Sequence, residues 1–170
     1  MLQGAHTAIV TPFNKDESVD FGKYRELIEH QIANGIDGIV PVGTTGESPT
    51  LNTGEHLKVI KQTVDTVHGR VKVIAGTGAN STSEAVELTR EAKALGIDAT
   101  LQVTPYYNKP NQEGLYRHFS TVADLGVPVV LYNVPGRSSL EIAVETVARL
   151  SAHPNVVAVK EAGGDVARVK

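Results

Sequence analysis

Apolar positions along this chain follow two alternating rhythms. Short stretches rich in aliphatic and β-branched residues lie at 5–10, 38–42, 72–75, 99–103, 129–132 and 156–160. Their apolar character is continuous rather than alternating, which predicts strands covered on both faces, as in parallel sheets. Between the runs, apolar residues return every three or four positions. Tyr24, Leu27, Ile28 and Ile32 predict a helix over 21–33 that stops at Asn34-Gly35. Leu57, Ile60, Val64 and Val67 predict a second, opened by Asn52 with Glu55 three residues on and closed by Gly69. A third runs from Ser81, with Glu84 completing a capping box, through Val86, Leu88 and Leu95 to Gly96. Leu115, Phe119 and Val122 mark a fourth, and Ile142, Val144, Val147 and Leu150 a fifth.

Successive units are about 30 residues apart, the length of a βαβ module, and no Pro/Gly/Ser-rich linker interrupts them. The whole of 1–170 is therefore expected to be one α/β domain, either an open doubly wound sheet or part of a (β/α)8 barrel. The segments after the strands favour the barrel. They read "TPF", "GTTGES", "GTGANS", "TPYYNKP", "YNVPGR" and "KEAGGD", so polar or glycine-rich loops follow all six. A doubly wound sheet gathers its site at one crevice, whereas a barrel draws on the carboxyl ends of several strands. Only six units are present where a barrel has eight, so the expectation is a (β/α)8 TIM barrel represented by its first six β/α units.

Composition narrows the function classes. The chain is 41% hydrophobic and 21% charged with a formal net charge of −3, its charges interspersed, so neither nucleic acid nor an anionic membrane is an expected partner. Cysteine is absent, which excludes disulfides, thiolate metal sites and a cysteine nucleophile. No apolar stretch approaches the roughly 20 residues of a membrane span, and the start "MLQGAHTAIVTPF" lacks the features of a signal peptide. A cytoplasmic soluble protein is expected.

Candidate chemistry lies at the strand ends. Lys160 follows an unbroken Val/Ala run; at the inner end of a barrel strand its ammonium would be partly desolvated, which lowers the pKa and frees a lone pair for Schiff-base formation with a carbonyl. A strand-terminal lysine reaching solvent, or paired with Glu161, is the plain alternative. Tyr132 ends the preceding strand and would point a phenol into the same mouth, as a proton relay or as a packed aromatic. Arg137, after a Pro-Gly turn, offers a fork suited to a carboxylate. "GTTGES" lacks the Gly-Lys-Ser/Thr ending of a phosphate loop; its adjacent hydroxyls, Thr44 and Thr45, suit a small carboxylate or a hydroxyl relay. "GTGANS" breaks the dinucleotide spacing at Ser81. Tyr106 and Tyr107 share a loop and should point in different directions, one to the site and one to a partner. The histidines show no metal spacing, and amine–carbonyl chemistry needs neither metal nor cofactor.

Taken together, "GTTGES", "AGTGAN", "VTPYYNKP", "GLYRHF", "YNVPGR" and "VVAVKEA" resemble the dihydrodipicolinate synthase family of pyruvate-dependent class I aldolases, from "TAIVTPF" to the last residue. The resemblance implies that Lys160 condenses with pyruvate and that the enamine attacks L-aspartate 4-semialdehyde, giving the heterocycle on the route to diaminopimelate and lysine. It implies Tyr132 as proton shuttle, linked through Thr44 to Tyr107 lent by a neighbouring subunit. Thr45 would hold the pyruvate carboxylate and Arg137 that of the aldehyde. A homo-oligomer, a tetramer in the complete family, is implied too, as is a lysine-feedback site matched by Ser48, His56, Asn80, Glu84 and Tyr106. Thr53 stands where that site often has a histidine, and Pro49 replaces a small residue. Gly163 stands where Ser or Thr is common, and a lost hydroxyl there is expected to loosen the hydrogen bonding near Lys160. Family members continue through two more barrel strands and a helical C-terminal region. Two alternatives stay open: a truncated, inactive relative that folds only by association, and a sugar-acid aldolase of the same group, which includes N-acetylneuraminate lyase.

Overall fold

The computed structural model describes residues 2–169. The chain divides into two compact units, Met1–Gly76 with Glu91–Ala99, and Thr77–Arg90 with Thr100–Lys170.

In the first unit, β1 (His6–Ala8), β2 (Gly38–Val40) and β3 (Lys72–Gly76) pair in parallel, with His6 opposite Gly38 and Gly38 opposite Lys72. Both β1 and β2 are shorter than their apolar runs. The ladder leaves β2 where Pro41 lacks an N–H and Val42 turns to a φ of 47°. At the start of β1, Ala5 gives its N–H to the Asp37 carboxylate at 2.7 Å and its carbonyl to the amide of Asp37 at 2.9 Å. Gly76 ends β3 against the backbone of Val42, where a Cβ would lie 2.3 Å from the Val42 carbonyl oxygen. Only glycine allows that approach.

Helix α1 (Phe21–Ala33) starts because the Asp20 carboxylate accepts from the amide of Lys23 at 2.9 Å, and it leaves through Gly35 at φ 80°. The predicted capping box opens α2 (Thr53–Val67): Asn52 accepts from the Glu55 amide at 3.0 Å while Glu55 accepts from the Asn52 amide at 3.1 Å. Its C-cap is His68, in the left-handed region at φ 49°, one residue before the glycine expected to close it. Tyr24, Ile28, Val59, Ile60 and Val67 carry these helices onto Ile39, Val73 and Ala75. Tyr24 is fully buried with its hydroxyl 2.8 Å from that of Thr63. Thr63 gives its own proton to the Val59 carbonyl, so the phenol is the donor. Burial pushes the Tyr24 phenol well above its ordinary pKa against the pull of Thr63, keeping it neutral.

The second unit holds β4 (Ala99–Val103), β5 (Val129–Asn133) and β6 (Val156–Glu161), again parallel, with Thr100 opposite Val129 and Val129 opposite Val156. Helix α3 (Thr82–Ala94) divides its residues between the units. Helix α4 (Gln112–Ala123) is capped by Asn111, which accepts from the Gly114 amide at 2.8 Å. The "VPGR" segment, expected as loop, makes a one-turn helix, α5 (Pro135–Ser138), with proline at its first position. Helix α6 (Val144–Ser151) begins two residues after Ile142 and has no cap of its own. Gln112 of α4 replaces it, accepting from the Ala143 amide at 3.0 Å and the Thr146 hydroxyl at 2.7 Å. Leu115, Phe119 and Val122 of α4 pack with Leu150 of α6 onto Val129 and Leu131. Gln102 on β4, fully buried, donates to the hydroxyls of Thr77, Thr89 and Thr100 at 2.7–3.0 Å. Among the described residues, no helix is long and apolar enough to cross a membrane.

His118 of α4 is buried, with Nδ1 2.9 Å from the Thr82 hydroxyl and Nε2 without a hydrogen-bond partner. Burial pushes its pKa from 6.5 down to about 4. Above pH 6.5 the ring is neutral in both folded and unfolded chains, so the full stability is present. As pH falls toward about 4 the unfolded chain gains a proton that the native ring does not, and stability drops by on the order of 3 kcal/mol. The urea midpoint should therefore fall on acidification through this window more steeply in the wild type than in His118→Gln. Equal slopes would show that His118 does not report this burial.

Candidate active site at the strand ends

The carboxyl ends of β5 and β6 bring two of the expected residues together. Tyr132 lies opposite Lys160 in the ladder, and the Lys160 Nζ sits 4.2 Å from the centroid of the Tyr132 ring. That is cation–π geometry. The Tyr132 main chain is fixed from β4: its carbonyl accepts both the Thr104 amide, at 3.0 Å, and the Thr104 hydroxyl, at 2.9 Å. Tyr132 is buried, as expected, but Lys160 is exposed. The expected desolvation of its ammonium is therefore corrected. Strand β5 is covered on both faces, whereas β6 alternates between half-buried and exposed residues, with Val157 48% and Val159 40% exposed. Among the described residues of this unit, β6 pairs with β5 alone.

Glu161 is not the partner of Lys160. Its carboxylate takes the Asn133 amide at 2.9 and 3.0 Å, the Gly163 N–H at 2.7 Å and the Arg168 guanidinium at 3.3 Å. Burial, the largest single influence, pushes the Glu161 pKa up, but these donors together outweigh it and hold the carboxyl below its ordinary range. Asn133, Gly163 and Arg168 were not singled out from sequence as members of one network. The available signal was Asn133 itself, an amide at the end of an otherwise apolar strand.

Arg137 is exposed on α5 in the same unit. The paired tyrosines differ in exposure: Tyr106 is 36% exposed and Tyr107, at φ 72°, is 91% exposed. Burial, helped by the Glu84 carboxylate, raises the Tyr106 phenol. Asn108 reaches back to the Asn80 carbonyl at 2.9 Å. Asn80, Glu84 and Tyr106 thus belong to one unit, while Ser48 and His56 belong to the other.

In the first unit, Thr44 is half-buried and Thr45 exposed in a turn after β2, closed by the Gly46 amide on the Gly43 carbonyl at 3.0 Å. Thr11 fastens this turn by donating its hydroxyl to the Gly46 carbonyl at 2.7 Å. Ser48 opens a short 3-10 turn over Ser48–Thr50. His56 is buried on α2 with Nε2 2.8 Å from the Gly76 carbonyl, so Nε2 is the donor. Burial lowers its pKa, with the Gly76 carbonyl opposing.

A model of the dihydrodipicolinate synthetase family matches residues 1–170. The chain belongs to that family. A 4-hydroxy-tetrahydrodipicolinate synthase of Citrifermentans bemidjiense is 60% identical over 167 residues, which are 98% of this chain and 57% of that protein. The chloride-inhibited dihydrodipicolinate synthase of Acinetobacter baumannii, complexed with pyruvate, superposes with a TM-score of 0.97 at 51% identity, covering 99% of this chain and 58% of that one. The synthase of Cyanidioschyzon merolae with lysine bound gives a TM-score of 0.94 at 44% identity, covering 96% and 57%. The family's fold class is the expected (β/α)8 barrel, with six of its β/α units here. The chain spans 57% of the length of the curated relative.

The two units give the feedback candidates unequal structural burdens. His56→Leu leaves the Gly76 carbonyl buried without its donor and should cost about 1–3 kcal/mol. Ser48→Ala should stay within about 0.5 kcal/mol of the wild type. Urea unfolding of both variants checks this. A neutral His56→Leu would show that the Gly76 contact adds nothing to stability.

Proposed function

We propose that the protein is a pyruvate-dependent synthase in which Lys160 is the nucleophile. One observation carries the reading: an amine at the end of β6 lies against a phenol-bearing ring at the end of β5, at a level of the ladder where both are held by the backbone. The neutral amine attacks the keto carbon of pyruvate, and the carbonyl oxygen leaves as water after gaining protons, giving an iminium on Lys160. Loss of a methyl proton yields the enamine. Its carbon attacks the aldehyde of L-aspartate 4-semialdehyde, whose oxygen takes up a proton. The semialdehyde's own amino group then displaces Lys160 from the imine carbon and closes the ring of 4-hydroxy-tetrahydrodipicolinate. Tyr132 moves the protons, because the reaction begins with an ammonium that must lose one and continues with an oxygen that must gain some. Arg137 takes the aldehyde's carboxylate. Thr44 and Thr45, in the other unit, keep the roles that family resemblance implies for them, hydroxyl relay and pyruvate carboxylate. This chemistry belongs to biosynthesis of diaminopimelate and lysine in the cytoplasm. The exposure of Tyr107 supports its being lent to a neighbouring copy in a homo-oligomer, a tetramer in this reading.

Borohydride reduction with pyruvate should add a reduced pyruvate adduct to the peptide carrying Lys160, and none in Lys160→Ala. Tyr132→Phe, which keeps the ring and removes the phenol, should slow adduct formation by about 10²-fold or more. Absence of any adduct under conditions that label a full-length relative would overturn the reading. A panel of aldehydes then separates the semialdehyde from sugar acids, and turnover of sugar acids alone would make the protein an aldolase of that other kind.

Ser48, His56, Asn80, Glu84 and Tyr106 form the proposed recognition set for L-lysine as inhibitor, supported by the lysine-bound relative. Calorimetry should register binding at millimolar lysine or below. No heat at that concentration would remove the feedback proposal and leave the synthase reading intact.

A further inference from the structure

Tyr132 and Lys160 meet in only one register, and it is not the register in which their strands begin to pair. Val129 lies opposite Val156, but Val130 lies opposite Ala158, so Val157 is the extra residue of a bulge. Every pair beyond it is displaced by one: Leu131 with Val159, Tyr132 with Lys160, Asn133 with Glu161. Had the first register continued, Val159 would oppose Tyr132. Side chains alternate along a strand, so Lys160 would then sit on the opposite face.

The displaced register is fastened one pair beyond the reacting one. Asn133, 1% exposed, gives its amide nitrogen to both oxygens of Glu161, at 2.9 and 3.0 Å, and accepts the Ile142 amide on its carbonyl oxygen at 3.0 Å. Arg168 closes the ring of contacts, donating to Glu161 at 3.3 Å and to the Ile142 carbonyl at 2.7 Å, with Glu141 as a further partner at 3.1 Å. Gly163 provides the seat: its N–H reaches Glu161 Oε1 at 2.7 Å, and a Cβ built on it would lie 2.7 Å from that same oxygen. In the undisplaced register Asn133 would oppose Lys160, and Glu161 would turn away from all these donors.

We propose that Asn133 and Glu161 are positioning residues, whose amide–carboxylate clamp, closed by Arg168 and seated on Gly163, locks the register that holds the Lys160 amine against Tyr132 for reaction with a 2-keto acid. The proposal rests on the reading of Lys160 as nucleophile. It distinguishes this clamp from ordinary reinforcement of a strand end, because it makes amine reactivity depend on the pairing of two side chains that touch neither the amine nor the phenol.

A swap tests it. Asn133→Asp keeps the acceptor for Ile142 but sets two carboxylates face to face. Adding Glu161→Gln restores an amide–carboxylate pair with donor and acceptor exchanged. The trapping rate with pyruvate and borohydride should fall at least about tenfold in Asn133→Asp and return to within about threefold of wild type in the double variant. Amide exchange of residues 156–161 should quicken in the single variant and recover in the double. If Asn133→Asp does not fold, Glu161→Leu, which removes the carboxylate that Asn133 holds, carries the expectation for the single change. Unchanged trapping in the single variant, or a double variant no better than it, overturns the clamp. No trapping in the wild type overturns the nucleophile reading itself, and the exchange data then show separately whether the register was held.

Discussion

The chemistry proposed for Lys160 depends on the pairing of two parallel strands with a side-chain period of two. A strand buried on both faces, like β5, cannot place a charged group along its length without burying it unpaired, so polar chemistry is confined to its end. Tyr132 and Asn133 occupy that end, one on each face, and the partner strand must deliver its own two functional residues to the same level. The bulge after Val129 does this at the cost of one unpaired residue. Because register errors on such a ladder come in steps of whole residues, the site is either assembled or turned inside out.

Much of the architecture could be read from the chain because it rests on local interactions. The Asn52–Glu55 box and the continuous apolar character of β2 and β5 all act within a few residues. What could not be read depends on distant groups. Gln112 caps α6 from more than thirty residues away, and nothing near Ala143 announces it. A local exception is Pro135, legible as a turn, where the amides of Arg137 and Ser138 reach back to the Val134 carbonyl and close the turn into α5. The exposure of β6 was missed for a similar reason. "VVAVK" has the composition of a covered strand, and composition reports what a strand tolerates, not which neighbours are present.

Residue type also proved a poor guide to the burden a residue carries. His56 and Ser48 were grouped by resemblance as ligands for lysine, yet one is buried and committed to the Gly76 carbonyl while the other opens an exposed turn. Gly76 is itself there because no Cβ fits against Val42. A recognition role for His56 must therefore use a ring whose Nε2 proton is already engaged, which leaves Nδ1 as its free valence. The same economy holds at Thr104, whose amide and hydroxyl both serve to fix the carbonyl of Tyr132.

Gly163 shows what geometry adds to a departure from a family pattern. From sequence, replacing a hydroxyl residue by glycine reads as the loss of a hydrogen bond next to Lys160. In the structure the position supplies its backbone N–H to Glu161 at 2.7 Å, and the space a side chain would take is occupied by that carboxylate. With glycine here, Glu161 is gathered by Asn133, Gly163 and Arg168 rather than by the neighbouring lysine. That separation matters chemically. An amine salt-bridged to an adjacent carboxylate is held in its charged form; here the carboxylate next in sequence is committed to Asn133 and Gly163, while the Lys160 Nζ lies over the ring of Tyr132.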